Sequence, residues 1–293
     1  EHRAMGRDFM GHDQRYDRAE EYMQICYALW RGIPKDAVLQ DKKNGIFADP
    51  SKIEKIAFDG EYLSCHATPS VLPSPQGRPV LFQAGSSGRG QQFAVSHADV
   101  IFAIQPDLAR MQTFMAQIRA AGKANKRRDP VRVTFAIQPF IGETLAGAEA
   151  KRDAMLARIP LEAALTRISG TFGIDLDTVD IDLPLQEIST QASQGLVSAM
   201  SSMFGDKNIT LREAVRLSGL AGMIPQILGT PEDVADQLEE IWRQTGCHGF
   251  NLTPAIVPGG YEEFVDQGVP LLQQRGIFRT EYEADTLRGN MID

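Results

Sequence analysis

Cysteine is scarce. Cys26, Cys65 and Cys247 are the three in 293 residues, and no two of them form a Cys-x-x-Cys pair. An odd, scattered set excludes a disulfide framework and a zinc ribbon, and it fits a reducing cytoplasm. Long apolar runs are also missing. Nothing approaches the roughly 18 residues a membrane helix needs, so no membrane partner is expected, and no secretory leader pattern opens the chain. Basic residues are outnumbered 30 to 38, for a net charge of −8, and Lys123–Arg128 is the one dense cationic stretch. That balance argues against nucleic acid. The standard chemistry-bearing signatures are absent as well. There is no Gly-x-Gly-x-x-Gly, no Gly-x-x-x-x-Gly-Lys-Ser/Thr, no Gly-x-Ser-x-Gly and no His-Glu-x-x-His. The adjacent Cys65-His66 has no further ligands at a useful spacing, so no metal site is assigned.

The chain does have the apolar content for a core, at 43% hydrophobic. From Asp13, Tyr16, Ala19, Met23, Cys26 and Trp30 fall on one helical face, and Gly32 and Pro34 stop the run. Residues 35–78 are irregular, with a small hairpin expected around Asp59-Gly60. Strands are expected near 80–85, 99–104, 131–137 and 249–254, alternating with helices at 91–97, 108–121, 230–245 and 261–274. Residues 143–228 read as a mostly helical insertion. Strands alternating with helices imply a parallel α/β sheet.

The most informative stretch is Arg78-Pro-Val-Leu-Phe-Gln-Ala-Gly-Ser-Ser-Gly-Arg-Gly90. It reads as a buried strand that ends in a Ser/Gly turn and opens a helix. Such a turn offers backbone N–H groups, hydroxyls and a helix dipole to an anion. No carboxylate lies between Val80 and Ala98, and Arg89 adds a positive charge. The same pattern also describes an ordinary tight turn in which glycine only relieves crowding. Likewise His12 and Tyr16, four apart at a helix entrance, read either as two donors to one anion or as a cap and a core aromatic. His97, at a helix end, reads as structural, and so does His248 before the last strand.

Three segments carry a resemblance. They are His12-Asp-Gln-Arg-Tyr16-Asp-Arg-Ala-Glu-Glu21, Pro75-Gln-Gly-Arg-Pro-Val-Leu-Phe-Gln-Ala-Gly-Ser-Ser87 and Pro258-Gly-Gly-Tyr-Glu-Glu-Phe-Val-Asp266. Together they resemble the bacterial-luciferase-like flavin monooxygenases, in the branch containing nitrilotriacetate monooxygenase component A and dibenzothiophene-sulfone monooxygenase. The ending Arg275-Gly-Ile-Phe-Arg-Thr-Glu-Tyr-Glu283 is similar to that branch too. The resemblance implies a (β/α)8 TIM-type barrel that uses reduced FMN from a separate NAD(P)H:FMN reductase, with O2, to oxygenate a small organic substrate. By the same resemblance His12 and Tyr16 contact FMN, and Ser86 and Ser87 hold its phosphate. It assigns no catalytic residue, since the loop after the last strand carries Ala255 where relatives place a polar side chain.

The resemblance also implies a cytoplasmic protein, homo-oligomeric when full length. Four strands are half of a barrel that needs about eight, so residues 1–293 are expected to be a single partial barrel, truncated at the N-terminus. Residues 35–78 and 143–228 would be its lids. Alone, such a piece would be inactive and poorly soluble. Two alternatives share the fold or the ligand: an F420-dependent oxidoreductase, and a non-catalytic flavin-binding fragment.

Overall fold

The computed structural model describes residues 10–84, 88–127, 129–172, 179–187 and 208–292. In chain order the helices are α1 (His12–Arg31), α2 (Gly88–His97), α3 (Leu108–Ala124), α4 (Leu145–Leu156), α5 (Leu161–Phe172), α6 (Leu211–Ser218), α7 (Pro231–Thr245), α8 (Gly259–Glu263), α9 (Val269–Gln274) and α10 (Leu287–Met291). The strands are β1 (Val38–Asp41), β2 (Ile46–Ala48), β3 (Ile56–Asp59), β4 (Ser64–Ala67), β5 (Phe82–Ala84), β6 (Val100–Ala103), β7 (Arg132–Ile141), β8 (Gln226–Gly229) and β9 (Gly249–Leu252). The chain divides into two compact units. One holds Glu1–Ile101, Ala121–Val131 and Tyr282–Asp293; the other holds Phe102–Ala120 and Arg132–Glu281.

In the first unit α1 and α2 lie side by side and run the same way. Tyr16 meets Phe93 near their starts, with ring centroids 5.5 Å apart, and Tyr27 stacks on His97 near their ends at 5.7 Å. Every residue on the expected apolar face of α1 is only half-buried. The irregular excursion contains two antiparallel hairpins, β1–β2 and β3–β4, of which only the second was expected. The second is stapled to α1. The Glu21 carboxylate accepts the N–H groups of Glu61, Tyr62 and Leu63 at 2.7, 2.9 and 2.8 Å. A Cβ at position 60 would lie 2.4 Å from Glu21 Oε2, so a larger residue there would push the carboxylate off these bonds.

Strand β5 departs from expectation. It was read as buried, yet Phe82 is 50% exposed and the pattern along the strand is exposed, half-buried, exposed. Its position explains this. β5 is the end strand of the described sheet, with β6 as its one neighbour there, so apolar sequence alone does not bring cover on both faces.

A buried charge cluster fixes the base of this unit. Asp99 is 4% exposed. It accepts two bonds from Arg78, at 2.7 and 2.9 Å, one from Arg288 at 2.8 Å and the N–H of Leu81 at 2.9 Å. Burial alone would raise its pKa. The two guanidinium groups and the Leu81 N–H outweigh that and hold it at about 2. Arg288 lies on α10, so this single carboxylate ties the C-terminal helix to the segment before β5 and to the start of β6.

The second unit is built on β7, of which nine residues in ten are buried. It pairs in parallel with β9 over Thr134–Ile137 and with β8 over Gln138–Ile141. The strands take opposite edges: the Ile137 carbonyl accepts from Thr253 N at 2.9 Å, while the next N–H, of Gln138, donates to Pro225 O at 2.9 Å. β8 is a correction, since no strand was expected between 143 and 228. Its four residues follow Pro225 and are too short to display a period, so tertiary pairing alone creates it. The rest of that stretch, where described, is mainly helical, with α5 and α6 packing a separate core of Ala164, Leu165, Leu211, Ala214 and Val215.

Helix α7 forms as expected. Thr230 Oγ1 accepts from Asp233 N, the Asp233 carboxylate accepts from Thr230 N, Pro231 takes the first turn, and Gly246 ends the helix at φ +63°. Val234, Ala235 and Leu238 bury its inner stripe against Ile137, Ile141 and Ile227. His248 extends the sheet's ladder. Its N–H donates to Val133 O at 2.8 Å, and its Nδ1 accepts from Val133 N at 3.0 Å. Desolvation, with the charges of Arg132 and Arg119, lowers its pKa.

Candidate cofactor site

The parallel packing of α1 and α2 brings their N-termini together, so the positive ends of two helix dipoles face the same way. α2 has no acidic residue in its first turn. Among the described residues, a Cβ added at Gly88 would meet nothing within 4 Å. An open first helical turn without acids is compatible with a bound oxyanion. Ser86 and Ser87, expected to hold a phosphate, lie outside the described residues, as does the His12 side chain. The backbone of His12 opens α1. Tyr16 sits one turn further on, half-buried and packed on Phe93 of α2. The structure therefore brings Tyr16 and the opening of α2 into one neighbourhood.

Arg89 is a correction. Its guanidinium is not held for an incoming anion: it donates to Asp17 at 2.9 Å, approaches Glu20 at 3.8 Å and lies over the Tyr16 ring at 5.9 Å. Asp17 and Glu20 lie more than 65 positions away in sequence, so no local pattern could reveal the pairing. Arg89 instead neutralises two acids of α1 beside the opening of α2. His97 has the structural role expected, with partners the sequence did not disclose. Its Nε2–H donates to Glu20 at 2.6 Å, because a carboxylate only accepts, and its Nδ1 meets the Tyr27 hydroxyl at 3.0 Å.

A second polar group lies in the other unit. Thr134, Ala136 and Gln138 alternate along β7 with Val133, Phe135 and Ile137. Ile137 packs against α7 and Phe135 against Phe114 of α3, so the opposite face carries the polar residues. There Asn251 donates to Thr134 Oγ1 at 2.6 Å. Gln138 Nε2 donates to Thr253 O at 3.1 Å, and Gln226 Nε2 lies 3.4 Å from Gln138 Oε1. Sequence reading left the facing of Asn251 and Thr253 open and did not single out Gln138. The signal was the period-two alternation in β7. Beyond β9, Ala255 gives its loop no acid or base. Among the described residues, no group of three His, Cys, Asp or Glu side chains could hold a metal. Among the same residues, no helix is long and apolar enough to cross a membrane.

A profile of the luciferase-like monooxygenase family matches residues 1–249. The chain belongs to this family. It is 37% identical over 286 residues to dibenzothiophene-sulfone monooxygenase of Rhodococcus erythropolis, covering 96% of this chain and 63% of that protein. The crystal structure of DmoA from Hyphomicrobium sulfonivorans superimposes with a TM-score of 0.90 at 36% identity, covering 97% of this chain and 60% of that one. A riboflavin lyase structure with modified FMN and riboflavin gives 0.85 at 33% identity, with coverage of 98% and 64%. The chain thus spans less than two thirds of the length of these relatives. The luciferase-like fold fits the parallel sheet described above.

Proposed function

We propose that this luciferase-like monooxygenase acts as the oxygenase component of a two-component system. It takes reduced FMN from a separate NAD(P)H:FMN reductase and uses O2 to oxygenate a small organic substrate. The observation that carries the reading is Tyr16 of α1 packed on Phe93 of α2, a helix whose first turn has no acidic side chain. When bound, FMN supplies the oxygen chemistry, and the protein binds, orients and shields it. In this reading Ser86 and Ser87 donate hydroxyl bonds to the phosphate, and the α2 dipole adds partial positive charge. His12 and Tyr16 donate from α1. The full-length protein is a cytoplasmic homo-oligomer, consistent with three cysteines that are all free thiols.

The test supplies the intact protein with reduced FMN, labelled O2 and a panel of organic sulfones and sulfides, the substrate class in its relatives' names. The expected product carries one oxygen atom from O2. Hydride transfer to or from F420 with no incorporated oxygen would replace this reading with the deazaflavin one.

A further inference from the structure

The far ends of α1 and α2 border a cavity of about 510 Å³, within the first unit. Its lining includes Arg31, Arg78, Arg127 and Arg288, with Trp30 and His97. Four arginines line this one cavity in a chain whose net charge is −8. One buried carboxylate, Asp99, serves Arg78 and Arg288 together. The charge of His97, when protonated, is matched by Glu20.

Arg31 and Arg127 have no carboxylate partner among the described residues. Arg31 Nε donates to the Tyr27 carbonyl at 3.1 Å, and its guanidinium lies over the Tyr27 ring at 5.9 Å. Arg127 bonds to two carbonyls, Val95 O and Asp129 O, both at 2.7 Å. Each guanidinium carries five N–H donors, so most of the donors on these two arginines are unspent. Arg78 lies 5.9 Å from the same Tyr27 ring, so the phenol holds two cations close to each other. Desolvation lowers the Arg127 pKa; Asp99, the next largest influence, opposes this, and the charge of Arg78 adds to it. Gathering like charges in a half-enclosed space is costly without a counter-ion.

We propose that this cavity is a second anion site, distinct from the flavin site, and that it takes a phosphoryl-bearing small molecule. The four arginines come from separate segments: the end of α1, the approach to β5, the chain after α3 and helix α10. Arg78 and Arg288 already share one carboxylate, Asp99, which leaves Arg31 and Arg127 for the ligand. A tetrahedral phosphoryl group presents oxygens in several directions and suits donors arriving from separate elements. The site lies at the C-terminal ends of α1 and α2, whereas the flavin phosphate belongs at their N-termini.

Calorimetric titration of the intact protein with pyrophosphate tests this, with malonate as the carboxylate control. The expected result is saturable binding of pyrophosphate, at least about tenfold tighter than malonate. The R31Q/R127Q double variant should lose about tenfold or more in affinity, while S86A/S87A should keep it. R31Q alone changes an exposed residue at a helix end, so it tests the site even if the double variant does not fold; it should weaken binding about threefold. Absence of saturable binding would overturn the proposal. So would equal affinity for malonate, unchanged affinity in R31Q, or a loss confined to S86A/S87A, which would assign the anion to the flavin site.

Discussion

Replacing Asp99 with asparagine should destabilise the protein by about 3–5 kcal/mol, the range for removing one partner of a buried ion pair. The carboxylate is 4% exposed and is the shared acceptor of Arg78 and Arg288. Asparagine keeps the shape but turns one oxygen into an NH2 donor facing guanidinium donors, and it leaves two cations uncompensated. Urea unfolding of wild type and D99N measures the difference. The acid limb gives a second readout. The Asp99 pKa is about 2 when folded, against the ordinary 3.8 of an aspartate. A group whose folded pKa is depressed contributes stability that is full above the unfolded value and falls away as pH drops through the folded one. The wild type should therefore lose about 2 kcal/mol between pH 5 and pH 2 from this group alone. D99N should lack that part of the slope. A D99N protein as stable as wild type, with the same acid limb, would remove Asp99 from the account of the fold.

The second large effect concerns the flavin. Changing Ser86 and Ser87 together to alanine should weaken FMN binding about 100-fold, because a hydrogen bond to a charged group contributes roughly 1.5–3 kcal/mol and tenfold in affinity is about 1.4. Riboflavin, which lacks the phosphate, should bind the variant and the wild type alike. Fluorescence titration with both ligands separates loss of the phosphate contact from loss of the fold, since only the former spares riboflavin. Equal losses for both ligands would mean that the serines support the structure instead.

Local signals and long-range ones were not equally readable in the sequence. α7 was legible at both ends because cap, proline, acids and terminal glycine all lie within the helix and its borders. The opening of α2 was legible only in part: residues 88–90 were expected in a turn with the helix from 91, whereas α2 begins at Gly88. Other features depend on residues distant in the chain. Arg89 is drawn to Asp17 from 72 positions away, Glu21 reaches the hairpin from 40, and Arg288 reaches Asp99 across 189. β8 owes its existence to β7 rather than to its own four residues. The exposure of Phe82 reflects which strands stand beside β5, which its apolar sequence does not encode. The polar face of β7 was readable in principle, but one long buried run masked the alternation of Thr134, Ala136 and Gln138.

The affinity ratio of FMN to riboflavin in the intact wild-type protein tests the central claim most directly. If the α2 opening and the residues of α1 beside it grip a phosphate, FMN should bind at least about 100-fold more tightly than riboflavin, and added salt should narrow the gap. Equal affinity for the two flavins would show that no phosphate is held there and would contradict the account.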